Sequence, residues 1–351
     1  VYNKFFLAYF YQTINFLNIF NQKINMGQLD LKDKKILLEL DLNSRQSYSS
    51  IGKKVGLSKE VVNYRISKLI ENKIISNFTA IIDFSRLGII ACRTFLSLEN
   101  LDANKKEEII NYLKNIYQVG WGVTIIGRWD INFIFWGRNM SEFNSFWDKF
   151  YTKYGRYIDI KITNISDWYL FYPKAFLVSK YLDEIPFYNY YKQTENKINL
   201  DEKELKILSI LARNSRTKIN DISKEVDLSP TTVLSKIKSF EKDKIILSYN
   251  IGVDINKLGY SYFKLHLNIK NFDKKRYDSL IAYFNYQENI WATSHLIGGD
   301  DIELDIYIDD EKKYMEFLDN LRSKFSDIIK NYETIKYFEE FKYNLFPIKI
   351  K

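Results

Sequence analysis

Residues 47–71 read SYSSIGKKVGLSKEVVNYRISKLIE. Val62, Ile66, Leu69 and Ile70 recur there at helical spacing, so Lys59, Glu60, Asn63, Tyr64, Ser67 and Lys68 face away from the apolar stripe. Amides, hydroxyls and ammonium groups in one helical row can hydrogen-bond base edges and phosphate oxygens of duplex DNA. A second stretch over 221–241 repeats the pattern with different outward residues. These are Pro230, Thr231, Thr232, Ser235, Lys236 and Ser239, with Leu234 in the place of Asn63. Further basic residues accompany each row: Lys53, Lys54 and Arg65 in the first, Arg216, Lys218 and Lys238 in the second.

Other chemistries find less support. Cys92, His266 and His295 are too few for a structural zinc site of the usual ligands. A lone cysteine also excludes an intramolecular disulfide framework and points to a reducing compartment. Cys92 opens a predicted strand and reads as a buried apolar residue. No nucleophile, base and acid occur in a recognisable order, so no catalytic residue, metal or cofactor is expected. Gly120-x-Gly122 precedes a strand, and no helix N-terminus follows to meet a phosphate. Gly298-Gly299-Asp300-Asp301 is similar to the signature turn of diguanylate cyclases, but the matching turn elsewhere in the chain lacks it and the surrounding domain is too short.

The elements that would position the outward rows are legible. Ser58 stands where a helix needs an N-cap oxygen, and Gly56 where the preceding helix needs a residue tolerant of positive φ. Two short helices joined by a tight turn form a helix-turn-helix. Shifting the sequence by 171 residues superposes it on itself without a gap for about 60 residues. Leu29-Asp30 meets Leu200-Asp201, Asn43-Ser44-Arg45 meets Asn214-Ser215-Arg216, and Lys73-Ile74-Ile75 meets Lys244-Ile245-Ile246. Each copy then alternates strand and helix periods as β-α-β-β-α-β, the ferredoxin-like order. The fold class is therefore α+β: two copies of a helix-turn-helix, winged-helix-like domain followed by a ferredoxin-like domain. The boundaries are a helix-turn-helix at 29–80, a ferredoxin-like domain at 81–178, a linker at 179–197, and the second pair at 198–250 and 251–351.

Apolar content of 46% and charged content of 27% are those of a globular protein. The net charge of +8 suits a polyanionic partner, although a Lys-, Asn- and Ile-rich composition also follows from an AT-rich genome. Residues 1–28 are rich in Phe, Tyr and Asn, and their apolar run is too short to span a bilayer. They read as a non-native extension with translation starting at Met26, or as a short amphipathic extension packed on the body. The six tryptophans mostly follow core periodicity.

A helix-turn-helix joined by a strand to a ferredoxin-like domain resembles the Lrp/AsnC (feast/famine) transcription regulators. The resemblance rests on Leu29-Asp30-x-x-Asp33-x-x-Ile36-Leu37, Asn43-x-Arg45, Val55-Gly56-Leu57-Ser58, Val62-x-x-Arg65-Ile66 and Leu69, and runs on through Ile74-Ile75, Asp83 and Leu87-Gly88. Copy two keeps most of it, with Asp227 for the turn glycine and Lys236 for Arg65. It implies a cytoplasmic regulator that binds double-stranded DNA. Two copies in one chain imply an intramolecular pseudo-dimer, with further homo-oligomerisation, and unlike reading helices imply an asymmetric operator. The implied DNA contacts are Arg45, Ser58, Lys59, Asn63, Tyr64, Arg65 and Lys68 in copy one. In copy two they are Arg216, Ser229, Thr231, Thr232, Ser235, Lys236 and Ser239. In that family a Gly-x-x-Asp turn belongs to the region that binds small effectors, commonly amino acids; here it is Gly127 with Asp130 and Gly298 with Asp301. Both are equally readable as hairpin turns. Two rivals stand beside this reading: a sirohaem decarboxylase built on Lrp-like units, and a ligand-sensing protein that has lost DNA binding.

Overall fold

Each copy begins with three helices closed by the caps its sequence supplies. α1 (Leu31–Leu42) starts at Asp30, which accepts from the Asp33 N–H at 2.8 Å, while the Asp30 N–H donates back to the Asp33 carboxylate at 3.4 Å. α2 (Tyr48–Val55) ends at Gly56 with φ of 68°, and α3 (Lys59–Glu71) starts under Ser58, whose hydroxyl accepts from the Val61 N–H. This computed structural model describes residues 29–178, 189–344 and 346–350. The extension read over 1–28 and the first part of the expected linker lie outside them.

Copy two has α6 (Glu202–Arg213), α7 (Ile219–Val226) and α8 (Pro230–Lys242). Asp227 occupies the turn where copy one has Gly56 and adopts φ of 52°. That left-handed conformation costs a residue with a side chain about 1 kcal/mol. Its fully exposed carboxylate gains little from Lys203, 3.6 Å away. Asp227→Gly should therefore raise the unfolding free energy by about 0.5 kcal/mol, after subtracting the extra unfolded-state freedom of glycine. A denaturant titration that shows destabilisation would remove this account of the turn.

β1 (Ile75–Ile82) and β7 (Ile246–Val253) leave the two helical units and pair antiparallel with each other, Thr79 opposite Asn250. The pairing exchanges core residues. Ala80 and Ile82 of β1 pack with Ile207, Leu211 and Val233 of copy two, and Ile251 of β7 packs with Ile36, Leu40 and Val62 of copy one. Each three-helix unit is completed by the other copy's strand, so neither reading head stands alone.

The remaining elements of copy one are β2 (Ile90–Leu98), α4 (Ala103–Asn115), β3 (Val119–Ile126), β4 (Ile131–Gly137), α5 (Met140–Tyr154) and β5 (Ile158–Phe171). A short strand β6 (Asn189–Lys192) follows before copy two. Copy two adds β8 (Ser261–Ile269), α9 (Lys274–Asn285), β9 (Ile290–Ile297), β10 (Ile302–Ile308), α10 (Glu311–Phe325) and β11 (Ile329–Tyr343). Both runs keep the ferredoxin-like order. Their sheets, β3-β4-β2-β5 and β9-β10-β8-β11, are joined by the two long last strands. β5 pairs with β2 up to Ile165 and with β9 beyond it, and β11 passes in the same way from β8 to β3 at Lys336. The eight strands therefore close into an antiparallel barrel with no open edge among them.

β6 was not expected inside the linker. It pairs with Trp168–Phe171 of β5, the part of that edge which β2 no longer covers. Outside the barrel, Phe143, Phe146 and Phe150 of α5 pack on Phe133 and Phe135 of β4, each ring contributing about 1.5–3 kcal/mol by burial. Cys92 lies in the same layer, and burial pushes its thiol up to about 11. Among the described residues, no helix is long and apolar enough to cross a membrane.

Candidate nucleic-acid interface

On α3, Val62, Ile66 and Leu69 are buried, and Lys59, Asn63, Tyr64, Ser67 and Lys68 are exposed. Tyr64 leaves 63% of its surface open and Val61 39%. Beside Asn63 they form a face that can meet an adenine edge and a thymine methyl group. On α8, Thr231, Thr232, Leu234, Ser235 and Ser239 are exposed in the corresponding places. Ser58 and Ser229 act as helix caps, accepting from Val61 and Thr232 N–H groups. The Ser229 hydroxyl also lies 2.8 Å from those of both Thr231 and Thr232. The two helices thus carry different surfaces, one with an amide and a large ring, the other with a cluster of small hydroxyls.

Six more of the expected DNA contacts have other partners; two are local, with Lys68 2.8 Å from Glu71 and the Ser239 hydroxyl donating to Asp243 at 2.9 Å. The Arg65 guanidinium lies 2.8 Å from both Asp30 and Asp33, tying α3 to the start of α1. Lys236 does the same in copy two, 2.8 Å from Glu204. Arg45 donates to the Ser215 carbonyl and sits over the Tyr249 ring, and Arg216 donates to the Ser44 and Gln46 carbonyls and sits over Tyr48. These two arginines clip one helical unit to the other. Between them the Ser44 and Ser215 hydroxyls, 171 residues apart in sequence, meet at 2.6 Å and mark the pseudo-two-fold axis. The repeat relates Arg45 to Arg216 and Arg65 to Lys236, while the inward direction of their charges is set by tertiary contacts alone. Arg65→Ala should lower the unfolding free energy by about 1 kcal/mol, the upper end for a partly exposed ion pair. Base preference should stay unchanged, which comparison of the variant on matched and mismatched duplexes checks.

The Gly-x-x-Asp turns are strongly tied to the sheet. Asp130 accepts from the Leu98 N–H at 2.9 Å and pairs with Lys106 at 2.6 Å. Asp301 accepts from the Ile269 N–H at 2.7 Å. Gly127 and Gly298 have φ of 131° and 86°, as tight turns require. Both carboxylates close hairpins onto their own domains, which supports the hairpin reading of the two turns. The two histidines do not converge. β10 separates β8 from β9, and His266 is registered with Glu303 whereas His295 is registered with Ile302, adjacent residues that point to opposite faces of the sheet.

The inside of the barrel holds a charged cluster that no local sequence pattern announces. Glu303 lies 3.2 Å from Arg93 and 2.9 Å from Lys264, and Lys264 lies 2.7 Å from Asp305, all at most 2% exposed. Asp305 also accepts from the Tyr169 and Tyr262 hydroxyls at 2.8 and 2.5 Å. Burial alone would raise the Glu303 carboxyl, but Arg93 and Lys264 hold it down at about 2.

The winged helix-turn-helix DNA-binding family matches residues 29–76 and 200–246. The transcriptional regulator AzlB of Bacillus subtilis is 34% identical over 121 residues, covering 34% of this chain and 76% of that protein. The regulator LrpA of Pyrococcus horikoshii is 39% identical over 62 residues, 18% of this chain and 44% of its own. The chain belongs to the Lrp/AsnC family. Among solved structures, the siroheme decarboxylase NirDL has a TM-score of 0.59 at 14% identity, over 89% of this chain and 93% of that one. At that identity the likeness is one of fold, and it extends along nearly the full chain.

Proposed function

We propose that this Lrp/AsnC chain is a sequence-specific regulator that binds double-stranded DNA with α3 and α8 together, on an asymmetric operator. The observation that carries this reading is the rigid pairing of two intact but unlike reading helices. The β1–β7 ribbon, the Ser44–Ser215 contact and the two arginine clips hold both units in one body, and the exposed rows differ at every outward position from Lys59 to Lys68. A palindrome would present identical half-sites to non-identical surfaces. Further self-association is proposed to use the outer helical layer, since the barrel strands are paired on both sides.

The decarboxylase reading has less support in the chain's own residues. His266 and His295 face opposite sides of the sheet, and the cavity described below is small for a four-ring macrocycle. Binding to a labelled duplex at stepped salt concentrations tests the proposal. A linear fall of log affinity with log salt, together with discrimination between duplex sequences, is the expected result. Absence of duplex binding, with a Soret band on adding sirohaem, would transfer the assignment to tetrapyrrole chemistry.

A further inference from the structure

One end of the barrel opens into a cavity of about 320 Å3, roofed by the β1–β7 ribbon. Strands of both copies line it, mostly with apolar and aromatic side chains such as Ile134, Trp136, Phe171 and Tyr343. Small-molecule pockets run from about 300 to 1,000 Å3 and combine such walls with a few placed polar groups. Two of the polar groups here are incomplete. Arg93 donates to the Tyr169 hydroxyl at 3.0 Å and pairs with Glu303, but its Nε–H is buried with no acceptor. Trp291 likewise lines the cavity with a buried, unpartnered indole N–H. Trp121 differs, since its indole N–H donates to Glu340 at 2.8 Å. Buried donors are ordinarily satisfied, and one left unmade carries its full desolvation cost.

We infer that this cavity is a binding site for a flat apolar molecule of one or two rings carrying a carboxylate. The rings would lie among the aromatic walls, and the carboxylate would accept from Arg93 Nε and Trp291 Nε1. The donors occur once per chain: copy one has Gly120 where copy two has Trp291, and copy two has Lys264 where copy one has Arg93. One ligand per chain follows. The site is separate from the Gly127–Asp130 and Gly298–Asp301 turns, and its roof is the ribbon that joins the two reading heads. Occupancy would therefore bear on the spacing of α3 and α8, a consequence that rests on the DNA-binding reading proposed above.

The probe is 2-naphthoate, titrated into the full chain by calorimetry without DNA, so that failure here leaves the duplex reading untouched and the reverse. Saturable binding at one site per chain is expected. 2-Naphthalenemethanol, which keeps the rings and lacks the charge, should bind about tenfold more weakly. Trp291→Phe, which keeps an aromatic ring and removes the donor, should weaken naphthoate by about the same factor. Ala91→Leu, filling the cavity from β2, should abolish binding and provides the test if Trp291→Phe does not fold. No saturable heat at millimolar probe, equal binding of the neutral analogue, or undiminished binding by the folded variants would each overturn the assignment.

Discussion

Changing Asn63 and Tyr64 together to alanine should weaken the full chain's binding to its preferred duplex by about a hundredfold, from two base contacts worth about 1–3 kcal/mol each. Both side chains are exposed on α3, away from the buried Val62–Ile66–Leu69 stripe, so the helix keeps its packing and its Ser58 cap. Alanine is also the better helix former. Lys59 and Lys68 remain, and with them the phosphate contacts proposed for this helix, which would set the salt dependence. The loss should therefore fall on the preferred sequence and spare random duplex, with an unchanged slope of log affinity against log salt. Anisotropy titrations on both duplexes separate the two terms. A uniform loss on all sequences would mean that Asn63 and Tyr64 touch the backbone, and no loss would remove α3 from the interface.

Glu303→Gln should destabilise the fold by about 3–5 kcal/mol. In the barrel interior Arg93 and Lys264 are balanced by Glu303 and Asp305, all essentially without solvent. Removing one carboxylate charge leaves two buried cations facing one anion. The same cluster sets an acid limit. The folded-state carboxyl of Glu303 sits at about 2, below its ordinary 4.5. A depressed carboxylate contributes stability that is fully present above the ordinary value and is lost as the pH falls through the folded one. The gap in melting temperature between wild type and Glu303→Gln should hence be widest at neutral pH and narrow between about pH 4.5 and 2. A gap independent of pH across that window would contradict the ionised pairing.

Much of this fold is legible in the sequence because its signals are local. Capping residues at Asp30, Ser58 and Ser229, the turn at Gly56 and the apolar periods of each helix are read within a few residues of one another. The ungapped repeat then doubles every assignment. What the sequence does not disclose is which surfaces meet. Phe263-Lys264-Leu265-His266-Leu267 and Ile302-Glu303-Leu304-Asp305-Ile306 alternate as half-exposed strands do. Their charged faces are buried because the other copy's sheet covers them, a fact set by tertiary pairing alone. Arg45 and Arg216 carry the same ambiguity. Their charge suggests phosphate, and only the approach of the two helical units turns them onto each other's carbonyls. The β1–β7 ribbon and the passage of β5 and β11 between sheets are long-range pairings with no local signature, and so is the cavity they enclose.

Selection of random-sequence duplexes by the purified full chain, followed by sequencing, tests the central claim most directly. Two unlike reading helices held in one body predict enrichment of a site with two different halves at fixed spacing. Its α3 half should be lost from the pool selected by the Asn63→Ala, Tyr64→Ala double variant. Enrichment of a palindrome, or of no sequence at all, would contradict it.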